Sequence, residues 1–411
     1  MKVFKYLIYL SVLVFSPQVF AVDEYTPNDL AAFNLLPNIY LLILGGVFVL
    51  MMQAGFAIIE GGYEKNSRSF YGLLINYLSA ILGSAFFGVF CFFISTKLGA
   101  DNQYFVSKPL QGWHWNLVFF YTLMATTLTT VVGRIIPSSS SLFTFWAVGV
   151  VISGLIFPVI SSWAWGNLFF DGGWLKHYGF IDFAGSTVVH STSAWIVLAG
   201  YFVLKPEQKE QLVKRDIMFD DYKILSIALA GFILWLAWSG LNVGYITAIP
   251  VKVIDVVINT VVALLGAVLS SLVLAKVFLK KSSWESMIKS AIGGLVAITA
   301  SCGFIDAYAA GFVGIIAGII TVYVPSLLSR WIDAKNIREV ITIHGFCGIW
   351  GTLAVSFSTD RIIELTNRAT ILEQSVGIVV AFLWSFTVAF IAFKAICWLK
   401  EMRLRLKVKN D

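Results

Sequence analysis

Long apolar stretches set the limits on how this chain can fold. A helix that crosses a bilayer needs about 20 apolar residues, and inside a bilayer every backbone polar group must find its partner within the protein. Apolar residues make up 58% of the 411 residues and charged residues only 13%, whereas a soluble globular chain has about a quarter charged residues. We therefore predict an all-α polytopic membrane protein with eleven transmembrane helices, at Ile39–Ile59, Leu73–Ser95, Asn116–Ile136, Leu142–Trp163, Phe183–Leu204, Ile224–Tyr245, Val253–Leu279, Ile288–Ile305, Ala309–Ser329, Val340–Phe357 and Ser375–Leu399.

The first 21 residues have the pattern of a secretory signal peptide. Two lysines precede the apolar run Tyr6–Phe15, and the small residue Ala21 ends the segment. We predict that Met1–Ala21 is cleaved, which leaves a mature membrane domain over residues 22–411 with its N-terminus outside. An uncleaved first span is the alternative, but the apolar run is short for a bilayer.

The distribution of basic residues predicts the orientation. With the mature N-terminus outside, 21 of the 29 lysines and arginines fall on the inner side and only six on the outer side. The positive-inside rule therefore places this chain in a bacterial inner membrane with a cytoplasmic C-terminus. The net charge of +6 then reflects contact with anionic lipid head groups and not with nucleic acid. The basic tail Lys400–Lys409 is expected to lie at the membrane surface or, alternatively, to dock a partner.

Ten of the eleven spans divide into two sets of five. Because five is odd, the second set (about 223–357) has inverted topology relative to the first (about 38–204), and such repeats place a site at their interface near the bilayer midplane. The polar connection Lys205–Lys223 marks the boundary between the sets. The last helix, about 375–399, lies outside the repeat.

Two histidines occupy the last span of each repeat, His190 in DFAGSTVVHSTSAW and His344 in VITIHGFCGIWG. A histidine at this depth is costly in lipid and faces a protein-lined interior. Each one alone is compatible with a structural hydrogen bond, but matching positions in two repeats favour one shared polar site, in which two imidazoles share a proton. No metal site, cofactor or hydrolytic nucleophile is indicated, since zinc needs three or four ligands and no HExxH motif is present. The chain is therefore not expected to be an enzyme.

Other polar and aromatic residues flank this site. Asp182 opens the fifth span and is expected to cap the helix start; its charge would also attract a cation. Trp165 and Trp238 are expected near the outer ends of their spans, either as interfacial residues or as faces of a cation-receiving site. Tyr245 shares a helix face with Trp238 and adds a hydroxyl.

These motifs resemble those of the ammonium transporter family (Amt/Mep, related to Rh proteins). The resemblance runs from DFAGSTVVH at 182–190 through MQAGFAIIEGG, LNVGY, NTVVA, GGLVAITASCGF and IHGFCGIWG, in family order over roughly residues 38–400. It implies an eleven-span homotrimer that recruits ammonium at an outer vestibule, removes a proton, and passes ammonia through an apolar pore. By the same resemblance His190 and His344 match the twin pore histidines, Asp182 the vestibule aspartate, Trp238 a pore tryptophan and Trp165 the vestibule tryptophan.

The chain departs from the family pattern around the outer mouth. Met124 and Leu241 occupy the positions of two phenylalanine gate residues, and Tyr245 that of a vestibule serine. Ser138 and Ser139 replace an acidic–arginine pair, and the tail lacks the usual regulatory segment. Cation recruitment, selectivity and docking of a PII-type regulator therefore do not carry over from the family.

The sequence favours transport of ammonium or ammonia as the function. An ammonium-binding sensor with little flux is a second hypothesis, motivated by the altered gate. A channel for another small amine or neutral molecule is a third. The expected partners are ammonium or ammonia, membrane lipid and two further copies of this chain.

Overall fold

The computed structural model describes residues 30–62, 112–133, 135–136, 142–165, 173–213, 221–245, 252–277, 284–357 and 369–410. These residues form helices joined by turns, with no strand among them. The α-helices in chain order are α1 (Leu30–Gly62), α2 (Gly112–Gly133), α3 (Leu142–Val151), α4 (Phe157–Trp165), α5 (Trp174–Tyr178), α6 (Thr192–Val203), α7 (Pro206–Val213), α8 (Asp221–Gly244), α9 (Val253–Val277), α10 (Trp284–Ile298), α11 (Ala307–Leu328), α12 (Lys335–Val340), α13 (Cys347–Ala354) and α14 (Ile371–Asn410).

Three wider turns interrupt the α-helices. They are π-helices, in which one extra residue enters each turn: π1 (Ile152–Ile156), π2 (Ser186–Ser191) and π3 (Ile341–Phe346). Pro158 lies two residues after the end of π1, and because proline has no N–H to donate to the carbonyl four residues back, the wider turn there has a local cause. The other two π-helices carry the histidines, and each joins an α-helix without a break.

Ten of the eleven predicted spans fall on these helices. Within the described residues, six helical runs are long and apolar enough to cross a membrane. The protein is thus an α-helical membrane protein, as predicted. The predicted second span Leu73–Ser95 and the predicted signal peptide Met1–Ala21 lie outside the described residues.

The predicted eighth span, Ile288–Ile305, was wrong at its end. The helix stops at Ile298, and residues 299–305 form turns. The N–H groups of Phe183 and Ala184 donate to the carbonyls of residues 300 and 299, at 3.1 and 3.0 Å. The turns are apolar because they are buried, and apolar composition alone does not separate a buried turn from a helix.

Small residues allow the helices to approach closely. A Cβ added at Gly314 of α11 would lie 2.0 Å from the carbonyl oxygen of Ala263 on α9. At Gly318 it would lie 2.3 Å from the oxygen of Ala267. The backbones of α9 and α11 are therefore in direct contact, as in other membrane helix pairs with small interface residues.

The histidine-bearing segments lie at the centre of the bundle. Of the six candidate spans, Ser186–Val203 and Lys335–Phe357 are the most buried. Large apolar side chains on α9, α11 and α14 are exposed instead, among them Leu269, Phe312 and Ile391. These faces suit contact with lipid, and the buried pair of segments forms the interior.

Candidate functional site

The two histidines meet inside the bundle. The Nδ1 atoms of His190 and His344 are 3.2 Å apart, and their rings are nearly parallel at a centroid distance of 5.3 Å. Their side chains are 0% and 4% exposed. At this distance one imidazole donates its N–H and the other accepts with its lone pair, so the pair shares one proton between the two Nδ1 atoms. The sequence prediction of one shared polar site agrees with this contact.

Each histidine lies on a π-helix. Two hydroxyl groups at the end of π2 and the start of α6 bond to carbonyls five residues earlier. Ser191 Oγ donates to the carbonyl of Ser186, and Thr192 Oγ1 donates to that of Thr187. Gly185 precedes the turn with φ of 110°, where a side chain is strained, and its carbonyl accepts the N–H of His190 at 3.0 Å. π-helical turns are rare and concentrate at functional sites.

The two histidine segments are in close contact along their length. A Cβ added at Gly348 would lie 2.3 Å from Ser191 Oγ, so only glycine fits there. The hydroxyls of Thr187 and Thr352 are 2.7 Å apart and hydrogen-bonded. Glycine and short hydroxyl side chains therefore set the separation that brings the imidazoles into contact.

Two further rings bracket the histidine pair. The Trp238 indole stacks on His190 at 4.8 Å with 17° between the planes, and its Nε1–H donates to Thr299 Oγ1 at 2.8 Å. Phe56 lies 6.2 Å from His344 and 6.3 Å from Trp238. The Trp238 side chain is fully buried against the histidine and does not lie on the exposed surface of the bundle. Sequence reasoning missed Phe56, although it lies in the motif MQAGFAIIEGG.

Asp182 caps the start of π2. One carboxylate oxygen accepts the N–H groups of Gly185 and Ser186, both at 2.9 Å, and the other accepts those of Thr187 and Val188, both at 2.8 Å. Four donors on two oxygens suit an ionised carboxylate, which has only acceptor positions. The predicted cap is therefore present, and it occupies both oxygens of a carboxylate that is only 4% exposed.

Aromatic rings cluster beside Asp182. We call Tyr121, Trp165 and Tyr245 the aromatic cluster: Trp165 lies 5.4 Å from Tyr121 and 4.9 Å from Tyr245 between ring centroids. The Trp165 Nε1–H donates to the backbone carbonyl of Asp182 at 2.7 Å. The Tyr245 hydroxyl is buried and has no hydrogen-bond partner among the described residues. Phe183 packs beside Tyr245 at 6.4 Å.

Sequence reasoning identified Trp165 and Tyr245 but missed Tyr121. The missed ring stands in the run FFY at 119–121, where apolar aromatic residues look like lipid-facing side chains. Its position three residues before Met124 on α2 was the available signal, because residues three apart share a helix face.

Met124 and Leu241 lie on the helical runs that also carry residues of the aromatic cluster. Leu241 is three residues after Trp238 and four before Tyr245 on α8, and Met124 is one turn further along α2 than Tyr121. Both side chains are fully buried. Met124 and Leu241 are thus buried aliphatic side chains, and their role as a gate stays a prediction.

An ion pair lies at the opposite end of the histidine segment. Lys289 Nζ on α10 donates to Glu339 Oε1 on α12, and the side chains are 15% and 7% exposed. Glu339 stands five residues before His344 on the same helical run. The sequence counted Lys289 among the inner-side charges and did not predict its partner. Among the described residues no group of three or more His, Cys, Asp or Glu is arranged to bind a metal ion.

Comparison with known proteins agrees with this architecture. Residues 40–411 match the family model described as Ammonium Transporter Family. A putative ammonium transporter of Synechocystis sp. is 30% identical over 87% of this chain and 82% of its own length. Ammonium transporter Amt2 of Archaeoglobus fulgidus is 28% identical over 90% of this chain and 83% of its own length.

Solved structures share the fold. A protein described as Sensor Amt Protein superposes with a TM-score of 0.73 at 28% identity and covers 88% of this chain and 93% of its own. A Mep2 mutant from Candida albicans superposes with a TM-score of 0.72 at 21% identity, over 91% of this chain and 94% of its own.

Proposed function

Because the chain belongs to the ammonium transporter family, whose members are transporters and not enzymes, we propose that it transports ammonium or ammonia across a membrane. The observation that carries this proposal is the buried contact between His190 and His344. Two neutral imidazoles in an apolar interior offer hydrogen bonds but no fixed charge. Such a site suits a small neutral molecule that donates and accepts hydrogen bonds, as ammonia does.

The energetics favour passage of the neutral molecule. Moving an unpaired ion from water into a medium of low dielectric constant costs far more than a few hydrogen bonds return. Ammonium therefore releases a proton before the constriction, and ammonia crosses past the histidine pair. The proton is left on the entry side or is relayed separately through the imidazoles, which are suited to carrying it.

The aromatic cluster is the proposed entry site for the cation. Tryptophan and tyrosine faces attract cations through their negative ring surfaces. The Tyr245 hydroxyl, which has no partner among the described residues, supplies an acceptor for an ammonium N–H. Asp182 adds a negative charge beside the cluster, but its oxygens are already engaged by backbone N–H groups, so its contribution is a field and not a direct contact.

Met124 and Leu241 form the proposed gate. They place only aliphatic surface between the cluster and the histidine pair, where a hydrated ion finds no polar partner. This gate differs from the family pattern of two phenylalanines, so this chain differs from the family at the step that follows cation entry.

An ammonium sensor with little flux is the second candidate function. The tightly packed aromatic cluster favours it, because three rings within 6.5 Å of one another suit binding better than rapid passage. The structural neighbour described as Sensor Amt Protein has the same fold. A channel for another small amine remains the third hypothesis from the sequence.

We also propose the assembly and location that the sequence predicted. The exposed apolar faces of α9 and α11 suit contacts in a homotrimer as well as with lipid. The excess of basic residues favours a bacterial inner membrane, an outer mature N-terminus after cleavage of residues 1–21, and a cytoplasmic C-terminus. The 5+5 inverted repeat remains part of this proposal, and no PII-type regulator is included.

Transport is tested in proteoliposomes given an inward ammonium gradient, with current and internal pH recorded. The wild-type protein is expected to carry current where the proton is relayed, and to raise the internal pH without current where the proton is left on the entry side. His190→Ala and His344→Ala are each expected to abolish the coupled charge movement while the protein still folds, because the proton-sharing contact is lost. His177→Ala is the matched control, since this histidine is exposed on the short helix α5.

Three results separate the hypotheses. Normal transport by both histidine variants contradicts the role given to the pair. Ammonium binding with neither current nor a change of internal pH in the wild-type protein favours the sensor. Larger fluxes of methylammonium or a neutral solute than of ammonium favour the third hypothesis.

A further inference from the structure

The first turns of α14 make contact with the chain that enters the candidate site. We propose that Gln374 is a positioning residue for the entry site, which it holds in place through the backbone of residue 181. The inference rests on the proposed function for the identity of the ligand. It assigns a role to the last helix, which the sequence left outside the repeat and which contributes none of the residues of the histidine pair or the aromatic cluster.

The Gln374 side chain hydrogen-bonds to both backbone polar groups of Ile181, the residue that precedes Asp182. The Gln374 side chain is 0% exposed. With the amide oriented so that both of its polar atoms are satisfied, it donates to the Ile181 carbonyl at 3.0 Å and accepts the Ile181 N–H at 3.2 Å. One side chain thus satisfies both backbone groups of Ile181, in the manner of a neighbouring strand. No helix or strand in that segment offers those groups another partner.

Gly377, on the same face of α14, leaves space for the ring of Phe180, the residue before Ile181. Gln374 and Gly377 are three apart, so they share a face of α14. A Cβ added at Gly377 would lie 1.9 Å from Phe180 Cδ2, and the Phe180 ring is 1% exposed. The Phe180 ring therefore fills a notch that exists because residue 377 has no side chain.

Residues of the candidate site hold the other side of residues 180–184. Trp165 of the aromatic cluster donates to the Asp182 carbonyl, and the N–H groups of residues 183 and 184 donate to the turn after α10. Residues 180–184 are thus held between α14 and the site. The Phe180 N–H also donates to the Leu175 carbonyl of α5 at 2.9 Å, but without the α14 contacts both backbone polar groups of Ile181 lose the partner that Gln374 supplies.

The role of Gln374 is tested by ammonium binding and by current, measured separately. Gln374→Met keeps the side-chain length but removes both hydrogen bonds, and Gly377→Ala closes the notch. Each is expected to raise the dissociation constant for ammonium, measured by titration calorimetry with ammonium chloride on the purified full-length protein, by roughly five- to tenfold. The half-saturating ammonium concentration for current is expected to rise in parallel, while the maximal current changes less than about twofold.

Trp384→Phe is the matched control. Its indole N–H donates from the same helix to the Ile156 carbonyl at 3.1 Å, so the variant also removes a buried side-chain to backbone hydrogen bond. It does not touch residues 180–184 and is expected to leave ammonium affinity unchanged.

Two patterns would overturn the positioning role. In the first, Gln374→Met binds ammonium as the wild type does. In the second, Gln374→Met and Trp384→Phe lower protein yield and maximal current alike without a change in affinity, which is the pattern of general destabilisation. A wild-type protein that binds ammonium but produces neither current nor a change of internal pH contradicts transport, and the dissociation constants of the variants still decide the role of Gln374. A wild-type protein that neither binds nor transports ammonium contradicts both proposals.

Discussion

Substitutions of Asp182 test whether its carboxylate acts as a helix cap or as a charge that attracts the substrate. Asp182→Asn keeps the size of the side chain and one of its oxygens but replaces the other with an NH₂ group. That group then faces two backbone N–H donors that the carboxylate oxygen accepted at 2.8–2.9 Å. Two charge-assisted hydrogen bonds are lost, and hydrogen bonds to charged groups contribute about 1.5–3 kcal/mol each. We expect Asp182→Asn to lower the free energy of unfolding by about 3–6 kcal/mol.

The assay is unfolding in mixed detergent micelles with increasing dodecyl sulfate, followed by tryptophan fluorescence. Asp306→Asn is the control, because Asp306 caps α11 with a single hydrogen bond to the Ala309 N–H and is exposed. Asparagine and aspartate cap helices about equally well, so this control is expected to cost less than about 1 kcal/mol. Asp182→Glu retains the charge but moves the carboxylate by one methylene, and is expected to destabilise as well.

The reasoning is refuted if Asp182→Asn is as stable as the Asp306→Asn control while ammonium affinity falls at least tenfold and Asp182→Glu restores that affinity. Asp182 would then act on the substrate through its charge, and the cap would be incidental.

Two further predictions concern the packing of the histidine segments. Glu339→Gln removes the carboxylate that compensates the charge of Lys289, and is expected to lower the free energy of unfolding by about 3–5 kcal/mol in the same assay. The double variant Lys289→Met with Glu339→Leu removes both charges and is expected to be nearly neutral. Equal losses of stability in the two proteins would contradict this argument. Gly348→Ala places a methyl group 2.3 Å from Ser191 Oγ. This variant is expected to lower the free energy of unfolding by about 1–3 kcal/mol and, by separating the two histidine segments, to lower the ammonium current at least tenfold. Wild-type current in this variant would show that the separation of the segments is not critical.

The sequence predicted the class of fold and the meeting of the histidines. The fold class follows because length and apolarity identify spans, and the contact between His190 and His344 agrees with the expectation drawn from their matching positions in the two predicted sets of spans. Asp182 was also predicted as a cap, because an acidic residue before an apolar run satisfies free N–H groups.

Other parts of the site were not predictable from a single sequence. Phe56 and Tyr121 are aromatic residues in apolar helices, where composition does not separate a ring that faces the interior from one that faces lipid, and only the spacing of Tyr121 from Met124 gave a signal. Lys289 and Glu339 are 50 residues apart and meet only after α10 and α12 pack. The same limit applies to Gln374, whose partner Ile181 lies 193 residues earlier in the chain.

The π-helices escaped prediction for a different reason. Hydrophobic periodicity identifies a helix over 11–18 residues, and one extra residue in a single turn shifts that pattern too little to detect. In a chain this apolar, periodicity is also weak on every face.

The wide turn at π2 makes chain length itself a determinant of the site. Each residue of an α-helix advances the side-chain direction by about 100°. The wide turn already holds its one extra residue, so inserting a further residue between the cap at Asp182 and the ring of His190 would rotate everything after it by about that angle. The imidazole would then point away from its partner with every remaining residue type unchanged. The number of residues between Asp182 and His190 therefore matters as well as their identity, and an insertion there is expected to act as removal of the histidine does.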